Sequence, residues 1–194
     1  MFTGIIEATA RIISLRSDKA NKLVSIARPD TFNDIKLGSS IACNGICLTV
    51  LEYDNQSFTI QVMRETLLKT NAEGWRIGEL LNLEQALKLG DRLDGHWVLG
   101  HVDRCVKLQR KEQRASTAYY HFDFPAQDRK YLIPQGSICI DGVSLTIAEL
   151  QARSFTVALI RHTEENSRIS TLGPGALVNL EYDALGKYLL QKDI

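Results

Sequence analysis

Three separate segments of this chain return 97 residues further on with no change of spacing. Asn44-Gly45-Ile46-Cys47-Leu48-Thr49-Val50 reappears as Asp141-Gly142-Val143-Ser144-Leu145-Thr146-Ile147. Ser57-Phe58-Thr59 with Arg64-Glu65-Thr66 reappears as Ser154-Phe155-Thr156 with Arg161-His162-Thr163, and Gly78 with Asn82-Leu83-Glu84 reappears as Gly175 with Asn179-Leu180-Glu181. A period of 97 is too long for a solenoid unit and long enough for a small self-contained domain, so the repeat predicts two domains of one fold. Two such domains bring two similar pockets. Halving 194 residues leaves each domain at the small end of what can bury its own core, so each half is expected to lean on the other.

Within each half, short runs alternate apolar and polar residues between turn residues. Ser40-Ile41-Ala42-Cys43 and Ile46 to Val50 read as strands joined at Asn44-Gly45, a pair suited to the two positive φ angles of a type I′ turn. Asp141-Gly142 repeats the signal. A second pair runs from Val50 to Tyr53 and from Phe58 to Met63 across a break at Asp54-Asn55, and Gly78 to Glu84 and Gly175 to Tyr182 supply further strands. Many short strands in under 100 residues predict a small closed barrel in each half, which removes exposed sheet edges.

The best helix signal is residues 183–192. Asp183 can cap it, and Leu185, Tyr188, Leu189 and the stem of Lys192 share a face at i, i+3, i+4 spacing. A helix this short needs a docking surface, either its own barrel or another subunit.

The charge balance narrows the partners. With 23 basic and 23 acidic side chains, the chain offers no net attraction to nucleic acid or to an anionic membrane surface. No run approaches the ~20 apolar residues of a membrane span. Met1-Phe2-Thr3-Gly4-Ile5-Ile6-Glu7 lacks a basic region ahead of an apolar core, so no secretory signal and a cytoplasmic location are expected. Cys43, Cys47, Cys105 and Cys139 form no C-x-x-C pair; reduced thiols are expected, and no metal site.

Taken together, Met1-Phe2-Thr3-Gly4-Ile5-Ile6, Ser40-Ile41-Ala42 with Asn44 to Val50, Gly95-His96-Trp97-Val98-Leu99-Gly100-His101-Val102-Asp103, and Gly136-Ser137-Ile138 with Asp141 to Thr146 resemble the riboflavin synthase family of the single-chain alpha type. The resemblance runs in order from the first residue to the last strand. It implies an all-β fold of two tandem six-stranded Greek-key barrels plus a short C-terminal α-helix. The division it suggests is a lumazine-binding domain over residues 1–97, a second over 98–182, and an oligomerisation helix over 183–194. It further implies a cofactor-free dismutation of two 6,7-dimethyl-8-ribityllumazine molecules to riboflavin and a pyrimidinedione, carried out by a homotrimer. A lumazine synthase is a further possible partner.

By the same resemblance, Gly4, Ile5 and Ile6, then Cys47, Leu48 and Thr49, then Gln61, Val62, Met63, Arg64, Glu65 and Thr66 line a first lumazine site. His101, Val102 and Asp103, then Ser144, Leu145 and Thr146, then Ala158, Leu159, Ile160, Arg161, His162 and Thr163 line a second. Phe2 and Thr3 close over the site, against the simpler alternative that Phe2 is a buried packing residue, and Gln135 and Asp141 contribute to ligand contacts, against the alternative that Asp141 serves its turn alone. The reaction needs a proton taken from the C7 methyl of one lumazine and a nucleophile added to the other. His101 is the candidate for proton handling, since an imidazole titrates near neutrality; the alternative is a histidine satisfying a loop hydrogen bond. Cys47 and Ser40 are candidates for the nucleophile or its orienting partner, against the alternative that Cys47 is a small buried hydrophobe.

The two copies differ where chemistry would differ. Cys47 answers to Ser144, Asn44 to Asp141, Glu65 to His162 and, at a spacing of 96, Ile5 to His101. Gln135 stands where the family commonly has lysine, Arg161 and Arg64 where proline is usual, and Asp94 where glycine is usual. Two other functions compete: a lumazine-protein-like paralogue that holds one chromophore without chemistry, and an unrelated oligonucleotide- or pterin-binding barrel. The neutral charge and 7% aromatic content disfavour the latter.

Overall fold

The computed structural model describes residues 1–115 and 117–190. The first half contains β1 (Ala8–Asp18), β2 (Asn21–Ala27), β3 (Ser40–Cys43), β4 (Ile46–Tyr53), β5 (Ser57–Val62) and β6 (Leu80–Gln85). Around the barrel their order is β1-β2-β5-β4-β3-β6, closing antiparallel onto β1. The second half contains β7 (Arg104–Arg114), β8 (Thr117–Asp123), β9 (Ser137–Ile140), β10 (Val143–Leu150), β11 (Ser154–Leu159) and β12 (Leu177–Tyr182), closed in the corresponding order. Strands β3, β4 and β5 form a meander, and the long connection from β2 brings that strand back beside β5, which is a Greek key. Both expected barrels are present.

Alternation decides what enters each barrel. On β4, Ile46, Leu48 and Val50 point inward beside Phe58, Ile60 and Val62 of β5, while Cys47 and Thr49 face out. On β10 and β11, Val143, Leu145, Ile147, Phe155, Val157 and Leu159 fill the second core in the same way. The strand expected to stop at Val50 instead continues to Tyr53, because a β-bulge between Val50 and Glu52 bends it without ending it. The second half repeats this bulge between Ile147 and Glu149.

The predicted turns have the required conformation, with φ of 47° at Asn44 and 75° at Gly45, and 46° at Asp141 and 84° at Gly142. They also meet. A Cβ on Gly45 would lie 2.7 Å from the Gly142 nitrogen, so both glycines are needed for close approach as well as for φ. Around them a buried polar seam joins the barrels: Asn82 Nδ2 donates to the Asp141 carbonyl and Asn179 Nδ2 to the Asn44 carbonyl, both at 2.9 Å. Beside it Phe2, Ala42, Val98 and Cys139 form a small apolar cluster, with Phe2 and Val98 exchanging main-chain hydrogen bonds.

Short helices α1 (Arg64–Lys69) and α2 (Arg161–Glu165) follow β5 and β11, and α3 (Ala184–Leu190) ends the described chain. Asp183 Oδ1 accepts from the Leu185 N–H at 2.9 Å, giving the expected cap. The apolar stripe does not dock on its own barrel, since Leu185, Tyr188 and Leu189 are 57%, 68% and 65% exposed. Gln191 and Lys192, expected to continue the helix, lie outside the described residues.

The turn-to-turn contact is testable by comparison with an open glycine of similar φ. Gly45→Ala is expected to cost about 3 kcal/mol, from strain and overlap together. Gly38→Ala, with φ of +83° and no atom within 4 Å of the added methyl, should cost about 1 kcal/mol. Urea unfolding of both variants measures the difference.

Candidate active sites on the outer faces of the barrels

The register of β3 against β4 pairs Ser40 with Thr49 and Ala42 with Cys47, which puts Ser40, Cys47 and Thr49 on one outward face. In the second barrel Ser137 pairs with Thr146 and Cys139 with Ser144, giving Ser137, Ser144 and Thr146 the equivalent face. Each face is then covered by the leading segment of the other half. The Cys47 N–H donates to the Gly100 carbonyl at 2.9 Å, and the Ser144 N–H donates to the Gly4 carbonyl at 2.7 Å. Val102 packs on the first core and Ile6 on the second.

This crossing redraws the predicted grouping. One pocket, of about 240 Å³, is lined by Cys47, Glu65 and Thr66 of the first half with Gly100, His101 and Val102 of the second. The other, about 90 Å³, joins Gly4, Ile5 and Ile6 to Ser144, His162 and Thr163. His101 therefore belongs with Cys47, and Gly4 to Ile6 belong with Ser144. Matching residues by sequence neighbourhood grouped each leading segment with its own barrel, because no sequence signal marks an exchange between repeats.

Buried carboxylates hold the leading segments. Glu84 on β6 accepts from the Thr3 N–H and hydroxyl at 2.6 and 2.7 Å and from the Gly4 N–H at 3.0 Å. Glu181 on β12 accepts from the Leu99, Gly100 and His101 N–H groups at 2.8, 3.0 and 3.1 Å. Burial pushes the Glu84 carboxyl up to about 6, against the opposing hydrogen bonds, and moves Glu181 in the same direction.

Sequence reasoning missed one histidine in the region. His96 is buried, and its Nδ1 lies 2.7 Å from Ser144 Oγ. Desolvation lowers its pKa below the ordinary imidazole value, so the ring is neutral near pH 7 and able to take the hydroxyl proton. The motif Gly95-His96-Trp97 contained it, but only the tertiary crossing puts it beside Ser144. His101, by contrast, is exposed at the mouth of the larger pocket.

Several predicted contacts are structural instead. Leu48, Val62, Leu145 and Leu159 point into the barrel cores, because alternation turns them away from the outer face. Phe2 is fully buried in the inter-barrel cluster, the packing role, while the Thr3 N–H and hydroxyl are engaged by Glu84. Asp141 is also fully buried; it accepts from the Asn179 N–H at 2.8 Å and pairs with Arg168 at 3.2 Å, so its carboxylate serves the seam and not a ligand. Asp103 is engaged by the Tyr182 N–H and by Lys187 Nζ, each at 2.8 Å. Gln61 donates to Asp18 at 2.8 Å. Gln135 is exposed in a turn at φ 62°, while Met63, Arg64, Ile160 and Arg161 are exposed around the helices α1 and α2. Ala158 is half-buried on β11. Among the described residues no cluster of metal-ligating side chains occurs.

Two tandem barrels with paired outer pockets match the lumazine binding domain family over residues 3–86 and 99–183. The chain is 40% identical to the riboflavin synthase of Bacillus subtilis over 189 residues, covering 97% of this chain and 88% of that one. It is 34% identical to the riboflavin synthase of Saccharomyces cerevisiae, covering all of this chain and 86% of its relative. The chain belongs to the riboflavin synthase family. Its fold is shared by LumP complexed with riboflavin, at a TM-score of 0.87 and 20% identity, covering 94% of this chain and 99% of that one. LumP complexed with 6,7-dimethyl-8-(1'-D-ribityl) lumazine has a TM-score of 0.83 and 21% identity, with coverage of 93% and 98%.

The Glu84 environment sets a pH dependence. Its folded value, about 6, lies above the ordinary 4.5, so the stabilisation tied to this group is complete below 4.5 and lost as pH rises through about 6. With Glu84 only 3% exposed, the wild type should lose about 2 kcal/mol more unfolding free energy than Glu84→Gln between pH 4.5 and 7. Urea titrations of both proteins across that range check the sign.

Proposed function

We propose that this protein is a riboflavin synthase that converts two 6,7-dimethyl-8-ribityllumazine molecules into riboflavin and 5-amino-6-ribitylamino-pyrimidinedione. The observation that carries this reading is the pair of repeat-related pockets with unlike polar groups: Cys47, Glu65 and His101 in one, Ser144 and His162 in the other, with the buried His96 ring 2.7 Å from the Ser144 hydroxyl. A dismutation requires two copies of one heterocycle with one acting as donor and one as acceptor. Related folds supply the common recognition, and the differing side chains supply the opposed roles.

In this mechanism an imidazole moves the C7 methyl proton, and the resulting carbanion is delocalised over the pteridine. His101, at the mouth of the larger pocket, serves as that base or acid. Cys47 offers the stronger intrinsic nucleophile for the partner lumazine, with Ser40 and Thr49 beside it on the same face. Ser144, which lines the other pocket, has the buried His96 as its hydrogen-bond partner, and that imidazole can withdraw its proton and so raise the hydroxyl's nucleophilicity. Thr146 and Ser137 orient ring or ribityl oxygens. No redox or metal cofactor enters the balance, because the four-carbon unit passes between two identical molecules.

Neither cavity reaches the roughly 300 Å³ at the lower end of enclosed ligand sites, which favours completion by a neighbouring subunit. The exposed Leu185, Tyr188 and Leu189 of α3 supply a face for that contact. The assembly is a homotrimer in the cytoplasm, with residues 1–97 and 98–182 as its lumazine-binding domains and residues 183–194 as its oligomerisation segment. A lumazine synthase is a candidate partner.

The deciding measurement is flavin absorbance after mixing the purified protein with 6,7-dimethyl-8-ribityllumazine. Riboflavin should form; tight stoichiometric binding without product would leave the chromophore-binding alternative. His101→Gln is expected to lower kcat about 10²-fold, and Cys47→Ser at least about tenfold. Wild-type rates in both would remove these residues from the mechanism.

The assembly makes a separate prediction. Leu185→Asp with Leu189→Asp should convert a species of three times the chain mass into single chains in sedimentation velocity, with riboflavin formation falling by about 10²-fold or more as facing pockets separate.

A further inference from the structure

The leading segments could be held to the barrels by ordinary apolar packing, yet each is held by a carboxylate that is only 3% exposed. Among the described residues neither Glu84 nor Glu181 has a basic side chain within ion-pair distance. Burying an unpaired charge is costly, and here the compensation comes almost wholly from main-chain N–H groups. Leu99, Gly100 and His101 aim three successive amides at Glu181, a concave arrangement that requires the left-handed φ of 77° at Gly100. Thr3 and Gly4 repeat the arrangement at Glu84, with φ of 79° at Gly4.

The carboxylate's effect is felt across the barrel boundary. Glu181 belongs to the second barrel, but the Gly100 carbonyl that it orients accepts from Cys47 of the first. Glu84 belongs to the first barrel, but the Gly4 carbonyl that it orients accepts from Ser144 of the second. The Thr3 carbonyl also accepts from the His96 N–H at 3.0 Å, so Glu84 fixes both members of the His96–Ser144 pair.

We propose that Glu84 and Glu181 are positioning residues, one for each pocket, whose buried carboxylates set the main-chain geometry that places His96 against Ser144 and brings His101 into the pocket lined by Cys47. The catalytic consequence rests on the riboflavin synthase reading; the geometric consequence does not. A glutamine of the same shape keeps one acceptor oxygen but turns an NH₂ toward amides that themselves donate, so the segment must shift while the cores stay filled.

The test uses Glu84→Gln and Glu181→Gln in the full chain, with histidine ring signals read by NMR and riboflavin formation measured in parallel. Glu181→Gln should move the His101 signals, and Glu84→Gln those of His96, while His121, hydrogen-bonded to Thr156 on the second barrel, stays in place in both. In each variant kcat should fall about tenfold or more with KM changed less than about threefold. Ring signals and kcat that stay at wild-type values overturn the proposal. So do equal shifts at all four histidines, which would mean general loosening.

A measurement on the wild type guards against variants that fail to fold. The Thr3 and Gly4 amide shifts should titrate together with Glu84 near its value of about 6, with Glu7 nearby. Those of Leu99, Gly100 and His101 should follow Glu181, which sits near Lys187 and Asp103. Flat amide shifts overturn the proposal. If the wild type forms no riboflavin, the reaction reading falls, and the ring and amide signals still decide the positioning role.

Discussion

The structure depends on an exchange of main chain between its two halves. Gly100 lies so close to the first barrel that an added Cβ would be 2.5 Å from Cys47 Cβ, and Gly4 lies so close to the second that its Cβ would be 2.6 Å from Ser144 Cβ. Each contact needs a glycine twice, for its positive φ and for the missing side chain. Because the hydrogen bonds cross, neither barrel owns a complete pocket. Folding the two halves apart would leave Cys47 and Ser144 on bare outer faces. The small size of each domain is thus compensated by a partner within the same chain.

Much of the fold could be read from residues. Asn44-Gly45 and Asp141-Gly142 announced tight hairpins, and the alternation after them gave the inward and outward faces of β4 and β10. The longest hairpins were less visible. Those from β1 to β2 and from β7 to β8 turn at Lys19 and Ala115, with φ of 55° and 52°, and neither residue type advertises a left-handed turn. Of the candidate residues, Cys47, Glu65, Thr66, His101 and Val102 line one pocket and Gly4, Ile5, Ile6, Ser144, His162 and Thr163 another, a partnership that no spacing in the sequence shows. Spacing says that Gly100 corresponds to Gly4; it does not say that Gly100 packs on Cys47. For the same reason neither the His96–Ser144 contact nor the engagement of the Asp141 carboxylate by Asn179 and Arg168 is legible in the sequence.

The seam between the barrels is nearly self-complementary, and its departures from symmetry are informative. Asn82 and Asn179 reach across with matching 2.9 Å bonds, while their own Oδ1 atoms accept from the Arg168 and Asn71 N–H groups at 2.7 and 2.8 Å. At the turns, however, Asn44 faces Asp141, and Arg168 supplies the counter-charge that Asp141 needs. A buried carboxylate with its own guanidinium gives the second half a different electrostatic setting while leaving the backbone repeat intact. Duplication here preserves main-chain geometry and allows side-chain charge to diverge.

That division also explains how one sequence pattern can serve opposed chemical roles. The outer faces are built alike because β-strand register fixes Cys47 and Ser144 at the same place on each barrel. Their immediate partners then differ: the exposed His101 lines the larger pocket together with the Cys47 thiol, whereas the Ser144 hydroxyl of the smaller pocket is hydrogen-bonded to a buried imidazole, His96. A single pocket used twice would present both substrate molecules with the same proton inventory. Separate pockets on a duplicated scaffold avoid this, since burial alone is enough to hold one histidine neutral while the other remains open to solvent. The crossing of the leading segments then has a functional sense under the proposed reaction, because His101 is brought by one half to the pocket of the Cys47 thiol and His96 by the other to the Ser144 hydroxyl, and the two sites cannot be assembled independently.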